Sequence, residues 1–180
     1  MSTTMARLGG QKLARIVYSE EEIRRRVVEM AHEITESYTE DDQLLILGLL
    51  KGSFIFLADL VRSIDLPLHV DFLVASSYGS DTVSSGNVQL LYDPEATLAD
   101  RAVIVVEDIV DSGNTINRLI PLLEERGPRS LEICALLHKR LCRLDREPRW
   151  VGFDAPEEFL VGYGLDYSEN FRHLPYIASL

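Results

Sequence analysis

Four strand-like runs, rich in Val, Ile and Leu, recur along the chain and are separated by segments of helical or polar character. They lie at residues 43–50, 68–75, 102–107 and 130–138. Apolar runs of this length are typical of strands buried on both faces, which occur in parallel sheets covered by helices. The sequence therefore predicts an α/β fold with a mostly parallel, doubly wound sheet, whose ligands bind beyond the carboxyl ends of the strands.

Helices are predicted between these runs. Residues 19–38 begin with a capping box, Ser19 followed by Glu22, and continue with apolar residues at helical spacing. These apolar residues are Ile23, Val27, Met30, Ala31 and Ile34. A second helix follows Gly52 and ends near residue 63, and a third ends near Gly127, since glycine often follows the last turn of a helix.

The composition is that of one globular domain. With 180 residues, of which 46% are hydrophobic, the chain can bury about two thirds of its unfolded surface without disulfide bonds or a structural metal. The sequence shows no repeat, low-complexity stretch or linker that would divide it. We expect residues 1–10 to be a flexible N-terminus and residues 11–180 to form a single domain.

The charge and the cysteine content argue against several classes of protein. A net charge of −11 repels polyanions, so nucleic acids and anionic membranes are not expected partners. Only two cysteines occur, Cys134 and Cys142, and no segment has the features of a secretion signal or a membrane span. These features predict a cytoplasmic protein.

The strongest functional signal is the string VVEDIVDSGNT at residues 105–115. The pattern predicts that a buried strand ends at Glu107 and Asp108, and that a loop containing Asp111 leads into the next helix. The backbone N–H groups of this loop then converge at a helix N-terminus, which is a binding site for phosphate. The residues of the loop are Asp111, Ser112, Gly113, Asn114 and Thr115.

Glu107 and Asp108 are placed to hold ribose hydroxyls or hydrated Mg²⁺. Neighbouring carboxylates raise one another's pKa unless a cation or hydroxyl donors compensate, so a site that keeps two of them together indicates such a ligand. The alternative is a solvated loop with an Asp N-cap. That alternative fits any one of these residues, but not readily the whole string.

Residues 75–88, ASSYGSDTVSSGNV, form a polar segment that is too long for an ordinary connection. The segment is also too poor in apolar residues to pack as core. Such loops are usually lids or disordered segments.

Several common sites are not indicated. The four histidines lack the spacing of metal ligands, and no GxxxxGK[ST] phosphate loop occurs. Gly162-Tyr163-Gly164 lacks the third glycine and the βαβ placement of a dinucleotide fingerprint. Neither NAD nor ATP is therefore expected as a ligand.

The string at residues 105–115 resembles the signature of the type I phosphoribosyltransferases, and the match is complete. The resemblance implies the type I phosphoribosyltransferase fold, in which the N-terminal and C-terminal segments form a small hood over the carboxyl edge of the sheet. It further implies that Glu107 and Asp108 contact the ribose and help to bind metal, and that residues 111–115 bind the 5′-phosphate. Asp111 would be the general base or acid for the purine.

Further segments resemble the hypoxanthine-guanine branch of that family, in the same order and over about residues 11–177. Lys51 and Gly52 resemble the pyrophosphate loop, in which the peptide before the lysine can be cis. Lys139 resembles the lysine that donates to the oxygen at purine position 6. That contact disfavours adenine, because an ammonium group cannot accept a hydrogen bond from a 6-amino group.

Residues 158–177 resemble the base-binding region of the same branch. The resemblance implies that Phe159 stacks on the purine and that the Leu160 backbone forms a hydrogen bond with the base edge. It also implies that Asp166 holds a second Mg²⁺ through water and that Arg172 binds pyrophosphate. Without the family context, this segment is typical of a surface strand with a C-terminal arm.

Ser77 and Tyr78 resemble the pair that closes the family's lid over the pyrophosphate. There the pair keeps water away from an oxocarbenium-like transition state.

Two of the cations also have simpler interpretations outside the family context. Lys51 would then be an ordinary lysine at a helix start, and Lys139 and Arg140 would be cations at a strand end.

The resemblance implies an enzyme of purine salvage. It would transfer the 5-phosphoribosyl group from phosphoribosyl pyrophosphate to hypoxanthine or guanine with Mg²⁺, giving IMP or GMP, and would assemble as a homodimer or homotetramer. One rival is a nucleic-acid-binding sensor of the donor, which the acidic charge disfavours. Another is a phospho-accepting receiver domain, whose acids lie on different strands. A transferase that prefers xanthine stays open.

Overall fold

The computed structural model describes residues 12–77, 88–92, 94–140 and 143–180, which form nine strands and three α-helices. The strands, numbered along the chain, are Arg15–Tyr18 (β1), Leu45–Leu50 (β2), His69–Ser77 (β3), Val88–Tyr92 (β4), Ala102–Val110 (β5), Ser130–His138 (β6), Trp150–Asp154 (β7), Leu160–Val161 (β8) and Ile177–Ser179 (β9). The α-helices are Glu20–Ser37 (α1), Phe54–Val61 (α2) and Asn114–Glu124 (α3), and a 3₁₀ turn covers Glu40–Asp42.

Six of the strands form a central sheet in the order β4-β3-β2-β5-β6-β7. Five of them are parallel, and β4 pairs antiparallel with β3 at one edge. The predicted mostly parallel sheet is therefore confirmed, and the four predicted strands are its central members. The edge strand β7 was not predicted, because it is only partly buried and lacks the long apolar run of a central strand.

Helices cover both faces of this sheet, as expected for a doubly wound fold. On one face, α1 and α2 pack against Ile46, Ile104 and Leu136. On the other face, α3 packs against Val105 and Ile133. Successive residues of a strand point to opposite faces, so β2, β5 and β6 contribute to both clusters. None of the helices in the described ranges is long and apolar enough to cross a membrane.

Helix α1 begins at the capping box that the sequence predicts. The Glu22 N–H donates to Oγ of Ser19 at 3.3 Å, and the Ser19 N–H donates to the Glu22 carboxylate at 2.8 Å. The five predicted apolar residues are all buried: Ile23, Val27, Met30, Ala31 and Ile34. Both the position and the buried face of this helix are confirmed.

A second, antiparallel sheet forms the hood from the two ends of the chain, in the order β1-β9-β8. The Tyr18 hydroxyl donates to the carbonyl oxygen of Asp154, at the end of β7, over 2.5 Å. Gly164, just after β8, lies against Gly52, just after β2. These contacts place the hood over the carboxyl ends of the central strands, where it was expected.

Strand β5 is longer than predicted. It runs on to Val110, which pairs with His138 at the end of β6. Val110 is buried, and pairing with the equally long β6 extends the strand beyond the acids. Glu107 and Asp108 therefore lie within β5 rather than at its end, and the loop begins at Asp111.

Candidate active site

The carboxyl ends of β2, β5 and β6 bring together expected site residues that are far apart in the sequence. Lys51 and Gly52 follow β2, Asp111 follows β5, and Lys139 follows β6. Because β2 pairs with β5, and β5 with β6, all in parallel, these residues share one edge of the sheet. The hood covers the same edge.

The expected phosphate loop turns directly into α3 at Gly113. This residue is the N-cap of α3 and has a φ of 77°, a conformation that favours glycine. A Cβ atom on Gly113 would lie 2.7 Å from Cδ2 of Leu144 and 3.0 Å from the carbonyl oxygen of Arg143. Glycine is therefore required here both by conformation and by space.

Polar contacts tie this loop to the helix start. The Asn114 N–H donates to Oγ of Ser112 at 3.4 Å. Ser112 and Thr115 border a small cavity of about 80 Å³ together with Glu107 and Asp111. Glu107 of β5, the loop and the first turn of α3 thus face one small space.

Glu107 and Asp108 are partly buried carboxylates. Burial, together with the charge of Asp108, raises the pKa of Glu107 well above its ordinary value. Oε2 of Glu107 is buried without a hydrogen-bond partner in the described part of the chain. Burial also raises the pKa of Asp108 to about 6, although backbone hydrogen bonds and Arg172 lower it. Hydroxyl donors or a cation would stabilise such carboxylates.

The expected pyrophosphate loop contacts one of these acids. The peptide bond between Leu50 and Lys51 is cis, as the resemblance allowed. A Cβ atom on Gly52 would lie 1.7 Å from Oδ2 of Asp108, so only glycine lets the backbone approach this carboxylate. Nζ of Lys51 lies 3.1 Å from Oε1 of Glu169 in the hood.

Arg172 is held by several groups of the hood. Its Nη1 donates to the carbonyl oxygen of Gly164 at 2.8 Å. Its Nη2 lies 2.8 Å from Oδ1 of Asp166 and 3.4 Å from Oε2 of Glu169. The hydrogen bond from Lys51, with a smaller effect of Arg172, lowers the pKa of Glu169. The two cations expected to bind pyrophosphate therefore surround one carboxylate.

Lys139 and Asp111 form an ion pair at the ends of neighbouring strands. Nζ of Lys139 lies 3.0 Å from Oδ1 of Asp111, and the Lys139 side chain is only 21% exposed. The Lys139 N–H donates to the Val110 carbonyl oxygen at 2.9 Å, which fixes the backbone from which this side chain extends. A cavity of about 420 Å³ adjoins the pair, and its other lining residues are Ser112, Arg140, Arg143, Ala155 and Glu157. The pair presents a donor and an acceptor to one space.

Phe159 and Leu160 lie at β8 in the hood. The Phe159 side chain is 55% exposed, and its ring meets that of Tyr167 edge-on, with centroids 5.7 Å apart. Leu160 is buried and pairs with Ser179 of β9. The exposed ring is available to a planar ligand, but its ring contact is with Tyr167 rather than with the Lys139–Asp111 pair.

Parts of the predicted site lie outside the described residues. Ser77 ends β3, whereas Tyr78 and the segment to residue 87 lie outside them. The same holds for Cys142 and for the N-terminal residues 1–11, which include the predicted flexible end. The predictions for the lid and the N-terminus stay predictions.

Sequence reasoning missed some residues of this region. Glu169 contacts Lys51 across 118 positions, and no local pattern indicates such a pairing. Arg143 and Glu157 line the cavity beside Lys139. For Arg143, the available signal was its position three residues after Arg140, in the same loop beyond β6.

Comparison with known proteins identifies the family. Residues 15–168 of this chain match the family of the phosphoribosyl transferase domain. The hypoxanthine-guanine phosphoribosyltransferase of Dictyostelium discoideum is 42% identical over 169 residues, which are 92% of this chain and 94% of the relative.

Solved structures agree with this assignment. A hypoxanthine phosphoribosyltransferase from Staphylococcus aureus superposes with a TM-score of 0.91 at 39% identity, over 100% of this chain and 96% of that chain. The hypoxanthine phosphoribosyl transferase of Trypanosoma cruzi, studied for the role of its C-terminal region in oligomeric state and enzymatic activity, has a TM-score of 0.87 at 36% identity, over 93% of this chain and 91% of that chain. The predicted type I phosphoribosyltransferase fold is confirmed. Because the family match and the relatives both span most of the sequence, the chain belongs to the phosphoribosyltransferase family.

Proposed function

We propose that this protein transfers the 5-phosphoribosyl group of phosphoribosyl pyrophosphate to hypoxanthine or guanine, giving IMP or GMP and pyrophosphate. The observation that carries the proposal is the ion pair of Lys139 and Asp111, 3.0 Å apart, beside the loop that leads into α3. This pair offers a hydrogen-bond donor and a proton acceptor to one bound base. The sequence similarity to proteins named hypoxanthine-guanine phosphoribosyltransferase supports the choice of base.

The phosphoribosyl group binds where β5 leads into α3. The N–H groups at the start of α3, with the hydroxyls of Ser112 and Thr115, bind the 5′-phosphate, because a helix N-terminus favours an anion. Glu107 and Asp108 accept hydrogen bonds from the ribose hydroxyls. These donors would satisfy Oε2 of Glu107, which has no partner among the described residues.

Pyrophosphate leaves between Lys51 and Arg172. Both cations contact Glu169, so the pyrophosphate group replaces a carboxylate instead of binding free cations. The Lys51–Glu169 pair is exposed on both sides, and such pairs contribute only about 0–1 kcal/mol, so breaking it costs little. The entering anion carries more charge than Glu169 and gains more from the same two cations.

The purine binds in the cavity beside Lys139 and Asp111. Lys139 donates to the oxygen at position 6, whereas the 6-amino group of adenine would face a donor that it cannot satisfy. A ring nitrogen forms the bond to the ribose carbon as the bond from that carbon to pyrophosphate breaks. The imidazole proton of the purine passes to the Asp111 carboxylate. Phe159 stacks on the purine ring, and the Leu160 backbone holds the base edge.

Mg²⁺ is proposed as the cofactor. Among the described residues, no three His, Cys, Asp or Glu side chains lie close enough to form a metal site on their own. Mg²⁺ commonly uses one or two carboxylates and takes its other ligands from substrate phosphates and water. Asp166 is close enough to raise the pKa of Asp108, so these two carboxylates fit such a shared site. Glu107 would help to hold the metal through the ribose hydroxyls that it contacts. When bound, Mg²⁺ supplies positive charge to the departing pyrophosphate.

Assembly with a second copy of the chain is also part of the proposal. The large apolar side chains that are more than a third exposed include Phe54, Val70, Phe72 and Tyr92. Val70 and Phe72 point to the same face of β3, since they are two residues apart. Leu57 of α2 and Phe72 both approach Gly48, so this is the face that carries α2. An exposed apolar surface of this kind indicates a protein interface.

We propose that the protein acts in the cytoplasm. Cys134 is a free, buried thiol, and burial raises its pKa, so it is protected from oxidation. An unpaired cysteine is compatible with a reducing compartment.

The test of the reaction measures pyrophosphate release from phosphoribosyl pyrophosphate and Mg²⁺ with hypoxanthine, guanine, xanthine or adenine. We expect turnover with the 6-oxopurines, little with adenine, and a loss of about 10²–10⁴-fold in an Asp111→Ala variant. Asp65→Ala, which removes an exposed carboxylate in the loop after α2, is the matched control and should keep full activity. Donor binding without turnover for any base would overturn the proposal, and preference for xanthine would change the substrate.

A further inference from the structure

Tyr163 occupies an uncommon backbone conformation in the hood. It stands between Gly162 and Gly164, and the three residues have φ values of 100°, 50° and 103° in chain order. Residues with side chains seldom adopt a positive φ, so surrounding contacts have to hold Tyr163 in this turn. Its side chain is buried, with 6% exposed.

One such contact joins the hood to α2. The Tyr163 hydroxyl donates to Oδ2 of Asp59 at 2.6 Å, across 104 positions of the sequence. Burial and this hydrogen bond raise the pKa of Tyr163, so the hydroxyl stays protonated and able to donate. The other oxygen of Asp59 pairs with Arg62. Asp59 therefore has a fixed orientation on the helix that begins just after Lys51.

The same turn also holds Arg172. The Gly164 N–H donates to the Arg172 carbonyl oxygen at 2.9 Å, and Nη1 of Arg172 donates to the Gly164 carbonyl oxygen at 2.8 Å. On its other side, a Cβ atom on Gly164 would lie 2.1 Å from the carbonyl oxygen of Gly52. The backbone of Gly164 thus contacts both halves of the proposed pyrophosphate site, the turn after β2 and the hood arginine.

We propose that Tyr163 and Asp59 are positioning residues for the pyrophosphate site. Their hydrogen bond holds Gly164 against the turn after β2 and thereby sets the spacing between Lys51 and Arg172. A charge-assisted hydrogen bond from a buried hydroxyl is strong and directional, which suits this purpose. The inference rests on the function proposed above and adds two residues that do not touch the substrates.

Tyr163 and Asp59 lie away from the cavity that is proposed to bind the purine. Neither Tyr163 nor Asp59 lines the cavity beside Lys139 and Asp111. Both line a different cavity, of about 540 Å³, between α1, α2 and the hood. Removal of the hydrogen bond therefore reaches the reaction through the backbone of Gly164 and leaves the purine site unchanged.

The test is a Tyr163→Phe variant, which keeps the ring and removes only the hydroxyl. We expect the KM for phosphoribosyl pyrophosphate, and the Kd for pyrophosphate with Mg²⁺ measured by calorimetry, to rise about 5–20-fold. The kcat and the KM for hypoxanthine should stay within about twofold. Asp59→Asn keeps an acceptor for the hydroxyl and should restore most of the affinity that Asp59→Ala loses.

Tyr18→Phe is the matched control. Tyr18 also ties the hood to the central sheet through its hydroxyl, which donates to the Asp154 carbonyl oxygen at 2.5 Å, but it lies outside the turn that holds Arg172. It should lower the Tm about as much as Tyr163→Phe and leave the KM for phosphoribosyl pyrophosphate unchanged. In the double variant Tyr163→Phe/Asp59→Ala, the loss of affinity should be no larger than in either single variant.

Three outcomes would overturn the inference: an unchanged KM in Tyr163→Phe, an equal rise in both tyrosine variants, or additive losses in the double variant. Failure of the proposed function is distinguishable from these outcomes, because the wild-type protein would then show no turnover. The calorimetric titration with pyrophosphate does not require turnover and would still compare the variants.

Discussion

At the scale of single residues, Lys139 gives the sharpest prediction for substrate choice. Lys139→Met keeps the apolar stem but removes the ammonium donor from the cavity wall. We expect kcat/KM for hypoxanthine to fall about 10²-fold, and that for adenine to change less than about tenfold, because adenine has no acceptor there to lose. Steady-state kinetics with both bases measure this. Equal losses for the two bases would contradict a role in recognising the 6-oxo group.

Arg140→Met is the matched control for that variant. Arg140 is the next residue and also a cation, but it pairs with Asp154 at 2.6 Å. It lines the same cavity, so its removal changes the local charge by the same amount. Selection between hypoxanthine and adenine should persist in this variant.

His138, the last residue of β6, gives the folding stability a pH dependence. It is buried, and burial lowers its pKa below the ordinary 6.5, although Glu147 opposes this effect. As the pH falls through about 6.5, the unfolded chain therefore binds more protons than the folded chain, and the free energy of unfolding decreases. Denaturant unfolding from about pH 7 to about pH 5 should show a weaker decline in the free energy of unfolding for His138→Gln.

An exposed histidine serves as the comparison for that measurement. The His32 side chain is 72% exposed, so His32→Gln removes a histidine without changing the buried end of β6. Parallel curves for wild type and His138→Gln would show that His138 does not cause the decline.

At the scale of elements, the junction between β5 and α3 depends on Gly113. Gly113→Ala would force a side chain into a positive φ and place Cβ 2.7 Å from Cδ2 of Leu144. We expect a loss of about 1–3 kcal/mol in unfolding free energy, and a rise in the KM for phosphoribosyl pyrophosphate of at least about tenfold, since the loop would move from the phosphate.

Gly127→Ala provides the control. Gly127 also has a positive φ, of 69°, but a Cβ there would meet nothing within 4 Å. The variant should lose stability from backbone strain and keep its KM. A normal KM in Gly113→Ala would mean that the loop does not bind the phosphate.

The elements that could be predicted from the sequence are those with a strong periodic signal. The four central strands and α1 carry long apolar patterns, and the structure has each of them within a few residues. The hood strands β8 and β9 have two and three residues, too few to show a period, and only the family resemblance indicated a hood. The end of β5 was misplaced because its length depends on pairing with β6, which local sequence does not encode.

The candidate site likewise contains residues that local sequence could place and contacts that it could not. Glu107, Asp108 and Asp111 lie in one continuous motif, so local sequence was enough to place them near one another. The ion pair of Lys51 with Glu169, and the hydrogen bond of Tyr163 with Asp59, join positions more than 100 residues apart. Such contacts follow from the packing of the hood on the sheet, and a single sequence contains no pattern that indicates them.

At the scale of the whole molecule, the net charge of −11 opposes the binding of an anionic donor. Lys51 and Arg172 lie at the carboxyl edge of the sheet, each beside an acid. Asp108 lies close enough to Arg172 and Asp166 to interact with both, so these acids offset the two cations and bound Mg²⁺ would supply the positive charge that the donor requires. The overall acidic charge also repels larger polyanions such as nucleic acids.

The exposed apolar surface on the α2 face of β3 is a property of the whole molecule, because two copies of the chain would cover it together. In a symmetric dimer the same residue appears on both sides of the interface, so one substitution introduces two like charges. Val70 is 41% exposed on this surface. Val70→Glu should convert the assembly to single chains in sedimentation equilibrium, because burying an unpaired carboxylate in an apolar interface costs several kcal/mol. Val28→Glu, at a position that is 52% exposed on α1, should leave the assembly intact. A wild-type protein that sediments as a single chain, or a Val70→Glu variant with the wild-type mass, would show that this surface does not join two copies.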